Sequence, residues 1–425
     1  MAVADAEALL DLVRGEAAAA REALVALRDD AVAPALRGAA AGLAAQRDAV
    51  LAANAEDVAA AAGVLDEGAL DRLRLTPPRL AELGRQLELL ADAPPLERVL
   101  DEWTLENGLA VSARRIPIGV VGANFEARPA VAVDIAAQLL KSLNAVVLRT
   151  GSAALRTVTT LVDEVVRPAL ESAGIPGAAV GLVRAEARAG AEVLVSLPDL
   201  IPLVILRGSG ASTAELQRRA AAAGVHVLAH AEGGGVLYVD ESADPAKVEL
   251  LVRGSLDRLG VCNRLNLLLV HERVASRLPR LAELLAELGV AAYGTERAAA
   301  HAPVAPLERP LGHEWATDPE RVASVTIDVV GSVEEACRLA NRETSGLAAG
   351  IVAESAEAAA AFLDGYRGTA SFWHAPTRFA DGYALTGVPE TGINVGFSPG
   401  PRGPVTYRDL WLRQLRVVGD ASQHR

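Results

Sequence analysis

The first part of the chain, residues 4 to about 95, repeats apolar positions with a helical period. Charged residues lie between them, as on the outer faces of packed helices. Asn54 begins an Asn-Ala-Glu-Asp segment that is typical of a helix cap, and Pro77-Pro78 and Pro94-Pro95 punctuate the region. Close helix packing explains the alanine-rich runs, so this part predicts a helical layer.

A β-hairpin is predicted next, at residues 100–116. The stretch from Trp103 to Ser112 contains Asn107-Gly108 between two alternating runs, and an Asn-Gly pair favours a tight hairpin turn. Such a ribbon can protrude from the molecule, so it is a candidate contact surface.

From Ile116 onwards, short apolar runs alternate with helical patterns. The strands predicted in this first series are 118–122, 145–149, 179–183, 203–206 and 225–229, and the helices are 130–142, 152–173 and 212–223. Gly174 and Pro176 follow the helix that ends near Ala173, which is a good stop signal. Strands that alternate with helices indicate a parallel sheet covered on both faces, so an α/β, doubly wound fold is expected.

A second alternating series runs from Val236 to His374. Its predicted strands are 236–239, 265–270, 290–293, 325–329, 348–352 and 369–373, and its helices include 244–259, 278–288, 333–342 and 356–366. The boundary between the two series is placed at residues 230–235, where three consecutive glycines, 233–235, permit a sharp turn. The tail from Gly396 is predicted as a loop followed by a strand at 410–418.

Composition and charge exclude several classes of function. A formal net charge of −13 argues against general binding to nucleic acid or to a membrane surface. No apolar run reaches the roughly 18 residues of a membrane span, and the N-terminal segment lacks the basic start and apolar core of a signal peptide. Two cysteines in 425 residues do not form a disulfide framework, which favours a reducing, cytoplasmic setting.

Of the two cysteines, Cys262 is the candidate nucleophile. It lies in a short loop between a predicted helix and a predicted strand, where a thiol can be held rigidly and still meet a ligand. Cys337 lies within a capped amphipathic helix and is expected in the core. From the local pattern alone a structural role for Cys262 remains the alternative, because a free cysteine is more often packed than reactive.

Three features bear on a dinucleotide cofactor. The G-x-G-x-x-G fingerprint is absent after every predicted strand. Gly208 and Ser209 follow a strand and precede a helix, where backbone N–H groups can hold a phosphate; a tight turn without a ligand explains them equally well. Arg149 ends a strand and precedes Gly151 and Ser152, so it is placed for a ribose or a 2′-phosphate, with a surface salt bridge as the alternative.

Three side chains are candidates for a general base. His230 and Glu232 lie in the boundary segment, and His374 ends a predicted strand. An isolated histidine is more often structural, so that reading stands beside the catalytic one. No spacing of His, Cys, Asp and Glu predicts a metal site, and neither a G-x-S-x-G elbow nor a P-loop is present.

A series of motifs extends over most of the chain. It comprises R-I-P-I-G-V-V-G at 115–122, F-E-A-R-P at 125–129, V-D at 133–134, K-S-L-N-A-V-V-L-R at 141–149, G-V-C-N at 260–263, T-R-F-A-D-G at 377–382 and R-G-P at 402–404. From about residue 5 to 420, this series resembles the γ-glutamyl phosphate reductases, a branch of the aldehyde dehydrogenase superfamily. The segments around Cys262 and Arg378 are the most specific.

The resemblance implies an aldehyde dehydrogenase-like fold, with two doubly wound α/β domains and a small oligomerisation ribbon. Residues 1–230 would form the coenzyme-binding domain and residues 231–395 the catalytic domain. The C-terminal segment 396–425 would join the hairpin 100–116 in oligomerisation. A homo-oligomer, dimer or tetramer, is therefore expected, with a small-molecule substrate.

The resemblance also implies a reaction: NADPH-dependent reduction of L-glutamyl 5-phosphate to L-glutamate 5-semialdehyde with release of phosphate, a step of proline biosynthesis. Cys262 would form a thioester, and backbone N–H groups near Cys262 and Asn263 would hold the oxyanion. Asn124 is a weaker candidate donor, because an ungapped alignment places Phe125 at the superfamily's asparagine. The expected substrate-binding residues are Glu126, Arg128, Arg378 and Arg402.

For the coenzyme, the expected binding residues are Arg149, Gly151, Ser152, Gly208 and Ser209. Relatives that prefer NAD often carry a ribose-binding glutamate where this chain has Ser152. Without that carboxylate there is room for a 2′-phosphate, so NADPH is expected.

The chain also departs from the family pattern. The segment 341–346 lacks the usual histidines, the stretch 390–400 differs and is about one residue longer, and Trp373 and Tyr383 are bulky where smaller residues are usual. These positions are expected near the substrate. Two alternatives therefore stand: an aldehyde dehydrogenase or acyl reductase with another acyl substrate, and a non-catalytic relative that keeps the fold.

Overall fold

A computed structural model describes residues 3–65, 67–208, 210–229, 233–318, 320, 322–396 and 400–423. Of the candidate residues, Ser209, His230 and Glu232 lie outside these ranges. No helix in the described ranges is long and apolar enough to cross a membrane.

Helices form the first part of the chain, as predicted. They are α1 (Val3–Ala23), α2 (Asp29–Ala45), α3 (Arg47–Ala61), α4 (Glu67–Leu73) and α5 (Pro77–Asp92). The expected cap at Asn54 is wrong, because α3 runs through this position. The Asn54 side chain is buried there, donates to the Leu73 carbonyl at 2.9 Å and accepts from the Leu75 N–H at 2.7 Å. It therefore fastens the loop between α4 and α5 to α3.

The predicted hairpin is confirmed. Strands β1 (Val99–Thr104) and β2 (Ala110–Pro117) pair antiparallel, and Gly108 at the turn has a φ of +86°. The last strand, β17 (Trp411–Val418), pairs antiparallel with the other side of β2. The three strands form a separate sheet in the order β1-β2-β17.

The first parallel sheet has the order β5-β4-β3-β6-β7. Its strands are β3 (Val120–Phe125), β4 (Ala145–Thr150), β5 (Val180–Leu182), β6 (Leu203–Arg207) and β7 (His226–Ala229). The connecting helices are α6 (Ala130–Lys141), α7 (Leu155–Thr160), α8 (Arg167–Ser172), α9 (Ala189–Leu194) and α10 (Gly210–Ala223). A π-helical turn, Leu161–Val166, joins α7 to α8, so the predicted helix 152–173 is essentially one piece.

The second parallel sheet has the order β11-β10-β12-β9-β8-β13-β14. Its strands are β8 (Gly235–Val239), β9 (Leu265–His271), β10 (Ala291–Gly294), β11 (Ala305–Pro306), β12 (Ser324–Val330), β13 (Ala348–Val352) and β14 (Ser371–Trp373). Its helices are α11 (Pro245–Ser255), α12 (Leu278–Glu287), α13 (Glu296–Ala299), α14 (Val333–Glu343) and α15 (Ala356–Gly365). Strands β8, β9, β12 and β13 are buried at every position, as expected for a sheet covered on both faces.

Helix α11 ends four residues earlier than predicted. Asp244 caps its start as expected, accepting from the Ala246 N–H at 2.7 Å. The helix ends at Ser255, whose hydroxyl accepts from the Thr377 N–H at 3.2 Å. The residues that follow become the loop that carries Cys262, so a contact distant in sequence fixes the end of the helix.

The chain finally returns to the first sheet. Helix α16 (Gly382–Thr386) is followed by β15 (Gly392–Asn394) and β16 (Gly403–Val405), two short strands that the sequence did not predict. Val388, Val405, Tyr407 and Leu410 join the hydrophobic core of the first sheet. The domain limits remain a prediction, but this packing begins before the predicted boundary at residue 395.

Candidate active site

A cavity of about 710 Å³ is lined by residues of the first parallel sheet and of the loops that lead into the second. The first sheet contributes residues at the carboxyl ends of β3, β4 and β6, where an open parallel sheet normally binds its ligands. The other side includes the loop before β9 and the returning C-terminal segment. The polar residues that line the cavity are Arg72, Glu126, Arg128, Arg149, Ser152, Arg207, Cys262, Arg264, Glu314, Glu390 and Thr391.

Cys262 is held against a glycine turn. The Gly234 N–H donates to the Cys262 carbonyl at 2.7 Å, and Gly234 has a φ of +106°. A Cβ placed on Gly233 would lie 2.7 Å from the Cys262 carbonyl oxygen and 2.9 Å from its Cα. The glycines therefore permit a backbone approach that no side chain would allow, and they fix the position of the thiol.

A buried ion pair supports the same loop. The Arg264 guanidinium bonds the Glu314 carboxylate and the Val261 carbonyl, and it stacks 4.1 Å above the Trp315 ring. Both charged side chains are almost fully buried. Burial lowers the pKa of Arg264, and the charge of Glu314 opposes this. Neither residue was predicted from the sequence, because the pair joins positions 50 residues apart.

Asn263 does not line the cavity. Its side chain donates to the carbonyls of Arg378 and Ala380, at 2.9 and 3.2 Å, and accepts from the Arg378 guanidinium. Thr377 Oγ1 donates in turn to the Asn263 carbonyl at 2.8 Å. The Asn263 side chain therefore braces the segment 377–380 against the nucleophile loop.

Two of the expected substrate-binding arginines also lie off the cavity. Arg378 forms an ion pair with Asp257 at 2.7 Å. Arg402 donates to the backbone carbonyls of Val395 and Arg367. Both guanidiniums hold loops together instead of facing the cavity.

Arg128 does line the cavity, and Arg207 joins it. Burial and then the charge of Arg207 lower the pKa of Arg128 to about 10. Within the described ranges no carboxylate lies within ion-pair distance of either guanidinium. Two arginines so arranged favour an anion between them. The sequence signal for Arg207 was its position directly before Gly208, at the end of β6.

Two carboxyl groups face this cationic region. Burial raises the pKa of Glu390, which lines the cavity and accepts from the Gly382 N–H. Burial also raises the pKa of Asp134 to about 7, while the charge of Arg207 opposes the rise. In the sequence, Asp134 belongs to the motif at 133–134 and Glu390 to the divergent stretch 390–400, and neither was predicted to have a role.

The thiol of Cys262 is not acidic in this setting. Burial raises its pKa above the ordinary value of 9.0, and the Glu390 charge raises it further. The charges of Arg207 and Arg128 lower it, but they do not overcome the burial. The thiolate that a nucleophile requires is therefore a minor form at neutral pH before a substrate binds.

At the other end of the cavity lie the residues expected to bind a coenzyme. Arg149, Gly151, Ser152 and Gly208 line it, as does Glu126. Arg149 is buried and donates to Asn124 Oδ1 and to the Ala187 carbonyl, both at 3.2 Å. Asn124 is thereby occupied in binding Arg149.

These residues fit a dinucleotide. Arg149 Nε is buried and has no hydrogen-bond partner among the described residues. A Cβ on Gly208 would lie 3.2 Å from the Glu126 carboxyl, so glycine keeps the space before α10 open. Backbone at the start of a helix and an unused guanidinium N–H are both suited to a phosphate.

The remaining candidates lie elsewhere. His374 Nε2 is 3.5 Å from Glu354 Oε1, away from the cavity lining. Trp373 and Tyr383 are largely exposed and do not line the cavity, and neither does the segment 341–346. Most of these departures from the family pattern are thus not at the cavity. In the ranges that the structure describes, no group of three or more His, Cys, Asp and Glu could hold a metal ion.

Comparisons with known proteins agree with this architecture. The model of the "Aldehyde dehydrogenase family" matches residues 32–306. The γ-glutamyl phosphate reductase of Kineococcus radiotolerans is 36% identical over 423 residues, which cover 97% of this chain and 96% of the relative. The crystal structure of the γ-glutamyl phosphate reductase of Thermotoga maritima superposes with a TM-score of 0.90 at 30% identity, covering 97% of this chain and 100% of the other.

A more distant neighbour shares the fold alone. An engineered glycolyl-CoA reductase with bound NADP⁺ superposes with a TM-score of 0.67 at 16% identity, covering 96% of each chain. The family match, the extent of the similarity to the two reductases and the position of Cys262 in the cavity point the same way. The chain belongs to the aldehyde dehydrogenase family, in its branch of γ-glutamyl phosphate reductases.

Proposed function

We propose that this protein reduces L-glutamyl 5-phosphate to L-glutamate 5-semialdehyde with NADPH, releasing phosphate, through a thioester on Cys262. The observation that carries the proposal is the position of Cys262 in one cavity with Arg128 and Arg207. A nucleophilic sulfur beside two arginines suits a substrate whose reactive carbon bears a phosphate. The names of the relatives support this choice of acyl group.

The chemistry needs few groups from the protein. Cys262 Sγ attacks the acyl carbon, the bond from that carbon to the phosphate oxygen breaks, and the proton of the thiol leaves with the phosphate. Bound NADPH would supply the hydride that reduces the carbonyl carbon of the thioester, which gives the anion of a hemithioacetal. The carbon–sulfur bond of that adduct then breaks to give the aldehyde, and the sulfur regains a proton from solvent. Backbone N–H groups near Cys262 hold the developing oxyanion.

Arg128 and Arg207 bind the anionic groups of the substrate. Their charges also lower the pKa of Cys262, so they favour the thiolate. Glu390 acts in the opposite direction while it is ionised. Burial also raises the pKa of Glu390, which makes its ionised form, the form that opposes the thiolate, less favourable than that of a carboxyl group in water.

The coenzyme occupies the cavity near Arg149, Gly151, Ser152 and Gly208 in this proposal, and Ser209 stays a coenzyme residue predicted from the sequence. Ser152 lines the cavity with a hydroxyl where a carboxylate would repel a 2′-phosphate. This supports NADPH over NADH.

A homo-oligomer is also proposed, formed through the sheet β1-β2-β17. Strand β17 is at the edge of this sheet, and Leu412, Leu415, Val417 and Val418 on it are each at least 50% exposed. An exposed apolar edge strand is a template for pairing with another chain, and the second copy is the occupant that we propose.

The purified protein tests the reaction in its reverse direction. Glutamate 5-semialdehyde, NADP⁺ and phosphate should give NADPH, and omission of phosphate should abolish the signal. The Cys262→Ser variant should be inactive, while Cys337→Ser should keep its activity because Cys337 is packed between α14 and the second sheet and does not line the cavity. Equal activity of the parent and Cys262→Ser, or activity only with other aldehydes, would contradict the proposal.

A further inference from the structure

The loop before α9 is anchored by the predicted coenzyme residue Arg149. One terminal nitrogen of Arg149 donates to the Ala187 carbonyl and the other to Asn124 Oδ1. Arg149 is only 5% exposed. Its guanidinium is thus largely committed to protein acceptors, and its Nε remains as the buried N–H without a partner among the described residues.

Arg188 follows directly after the anchored residue Ala187. It is exposed, and its guanidinium lies 3.5 Å from the Ser212 hydroxyl, in the first turn of α10. Within the described ranges, no carboxylate is within 4.0 Å of Arg188. Its positive charge reaches Arg149, whose pKa it lowers after the larger effect of burial.

The arginines near Arg188, in contrast, form ion pairs. Arg184, on the same loop, pairs with Asp163 at 2.6 Å, and Arg219, on α10, pairs with Glu192 at 2.9 Å. Among the described residues, Arg188 is therefore a solvent-facing guanidinium without an ion pair, beside the cavity end that contains Arg149 and Ser152. An additional phosphate would find there a fork of N–H donors and the Ser212 hydroxyl.

We propose that Arg188 binds the 2′-phosphate of NADPH and sets the preference for this coenzyme over NADH, while Arg149 acts as a positioning residue that fixes the loop. The inference rests on the proposed use of a nicotinamide dinucleotide and adds the residue that distinguishes its two forms. The 2′-phosphate is the only group by which they differ, so an ionic contact to it affects one and not the other.

Calorimetric titration of the whole protein with 2′,5′-ADP and with 5′-AMP tests this without relying on turnover. The parent should bind 2′,5′-ADP more tightly. Arg188→Ala should weaken 2′,5′-ADP by at least about tenfold and leave 5′-AMP within about twofold, since a charge-assisted contact to a phosphate is lost. The affinity of Arg188→Lys for 2′,5′-ADP should lie between those of the parent and of Arg188→Ala. Arg218→Ala is the matched control, because Arg218 is exposed on α10 and already pairs with Glu215.

Each outcome bears on a separate claim. A parent that binds 2′,5′-ADP no better than 5′-AMP overturns both the NADPH preference and the inference. A parent that discriminates, with an Arg188→Ala variant that discriminates equally, overturns the inference and leaves the proposed function intact. Equal weakening of both ligands by Arg188→Ala also overturns it, because the residue would then serve the adenosine end in general.

Discussion

The N–H of Gly234 donates to the carbonyl oxygen of Cys262 at 2.7 Å. This hydrogen bond joins the turn directly before β8 to the backbone of the nucleophile. This contact requires glycine at both positions of the turn. Gly233 lies against the backbone of Cys262 and leaves no room for a side chain, and Gly234 has a positive φ. The position of the thiol thus depends on backbone that carries no reactive group.

Gly233→Ala tests this dependence. Its Cβ would meet backbone atoms of Cys262 at 2.7 and 2.9 Å, and backbone cannot give way as a side-chain end can. We expect a loss of about 1–3 kcal/mol in the free energy of unfolding, together with a loss of most activity. Urea denaturation and the reductase assay measure the two effects. Gly260→Ala is the control, since a Cβ there meets no atom within 4 Å, and it should change neither.

The buried pair Arg264–Glu314 should be costly to break. Glu314→Gln leaves the Arg264 charge in a buried site without its counter-ion, which costs about 3–5 kcal/mol in unfolding free energy. The exposed pair Arg156–Glu56 is the comparison, and Glu56→Gln should cost about 0–1 kcal/mol. Urea denaturation of both variants measures the difference. Similar losses in the two variants would mean that Glu314 does not support the loop as described.

These two sites show what the sequence could supply and what it could not. The hairpin at Asn107-Gly108, most strands of both sheets and the loop position of Cys262 were predictable, because period, turn residues and caps are local signals. The pair Arg264–Glu314 was not, since its members meet only after the chain has folded.

The site residues divide in the same way. Arg149 was predicted from its position at the end of a strand and Arg128 from the family motif at 125–129, and both line the cavity. Arg378 and Arg402 also stand in family motifs, yet the Arg378 guanidinium binds Asp257 and that of Arg402 binds backbone carbonyls. A motif states that a residue type is required, but the direction of its side chain depends on tertiary contacts that the sequence does not display.

The raised pKa of Cys262 predicts a distinctive pH dependence. Because the thiolate reacts and the pKa lies above 9.0, alkylation by iodoacetamide should be slow at pH 7 and should still rise at pH 9. Glu390→Gln should shift the profile to lower pH by removing a negative charge, and Arg207→Gln should shift it to higher pH by removing a positive one. The Cys337→Ser background isolates the signal. A plateau below pH 8 in the parent would contradict this account.

The two arginines of the cavity should determine the affinity for phosphate. Arg207→Met should raise the KM for phosphate in the reverse reaction by at least about tenfold, because a charge-assisted contact is lost. Arg378→Met should leave this KM within about twofold and act on stability, since its partners are Asp257 and Asn263. Initial rates at varied phosphate measure both. A raised KM for phosphate in Arg378→Met, with an unchanged KM in Arg207→Met, would mean that Arg378 binds the phosphate and Arg207 does not.

Assembly through β17 predicts that a charge at the centre of the strand separates the subunits. Leu415 is 52% exposed in the middle of β17 and pairs with Ala113 on its inner side. In a two-fold interface Leu415→Lys would place two like charges in apolar surroundings, so the variant should have a smaller assembly mass than the parent. Light scattering after gel filtration measures this mass. Leu250→Lys is the control, because Leu250 is 68% exposed on α11, outside the three-stranded sheet. The assembly mass of this variant should equal that of the parent. A monomeric parent, or a Leu415→Lys variant of unchanged mass, would show that β17 does not form the interface.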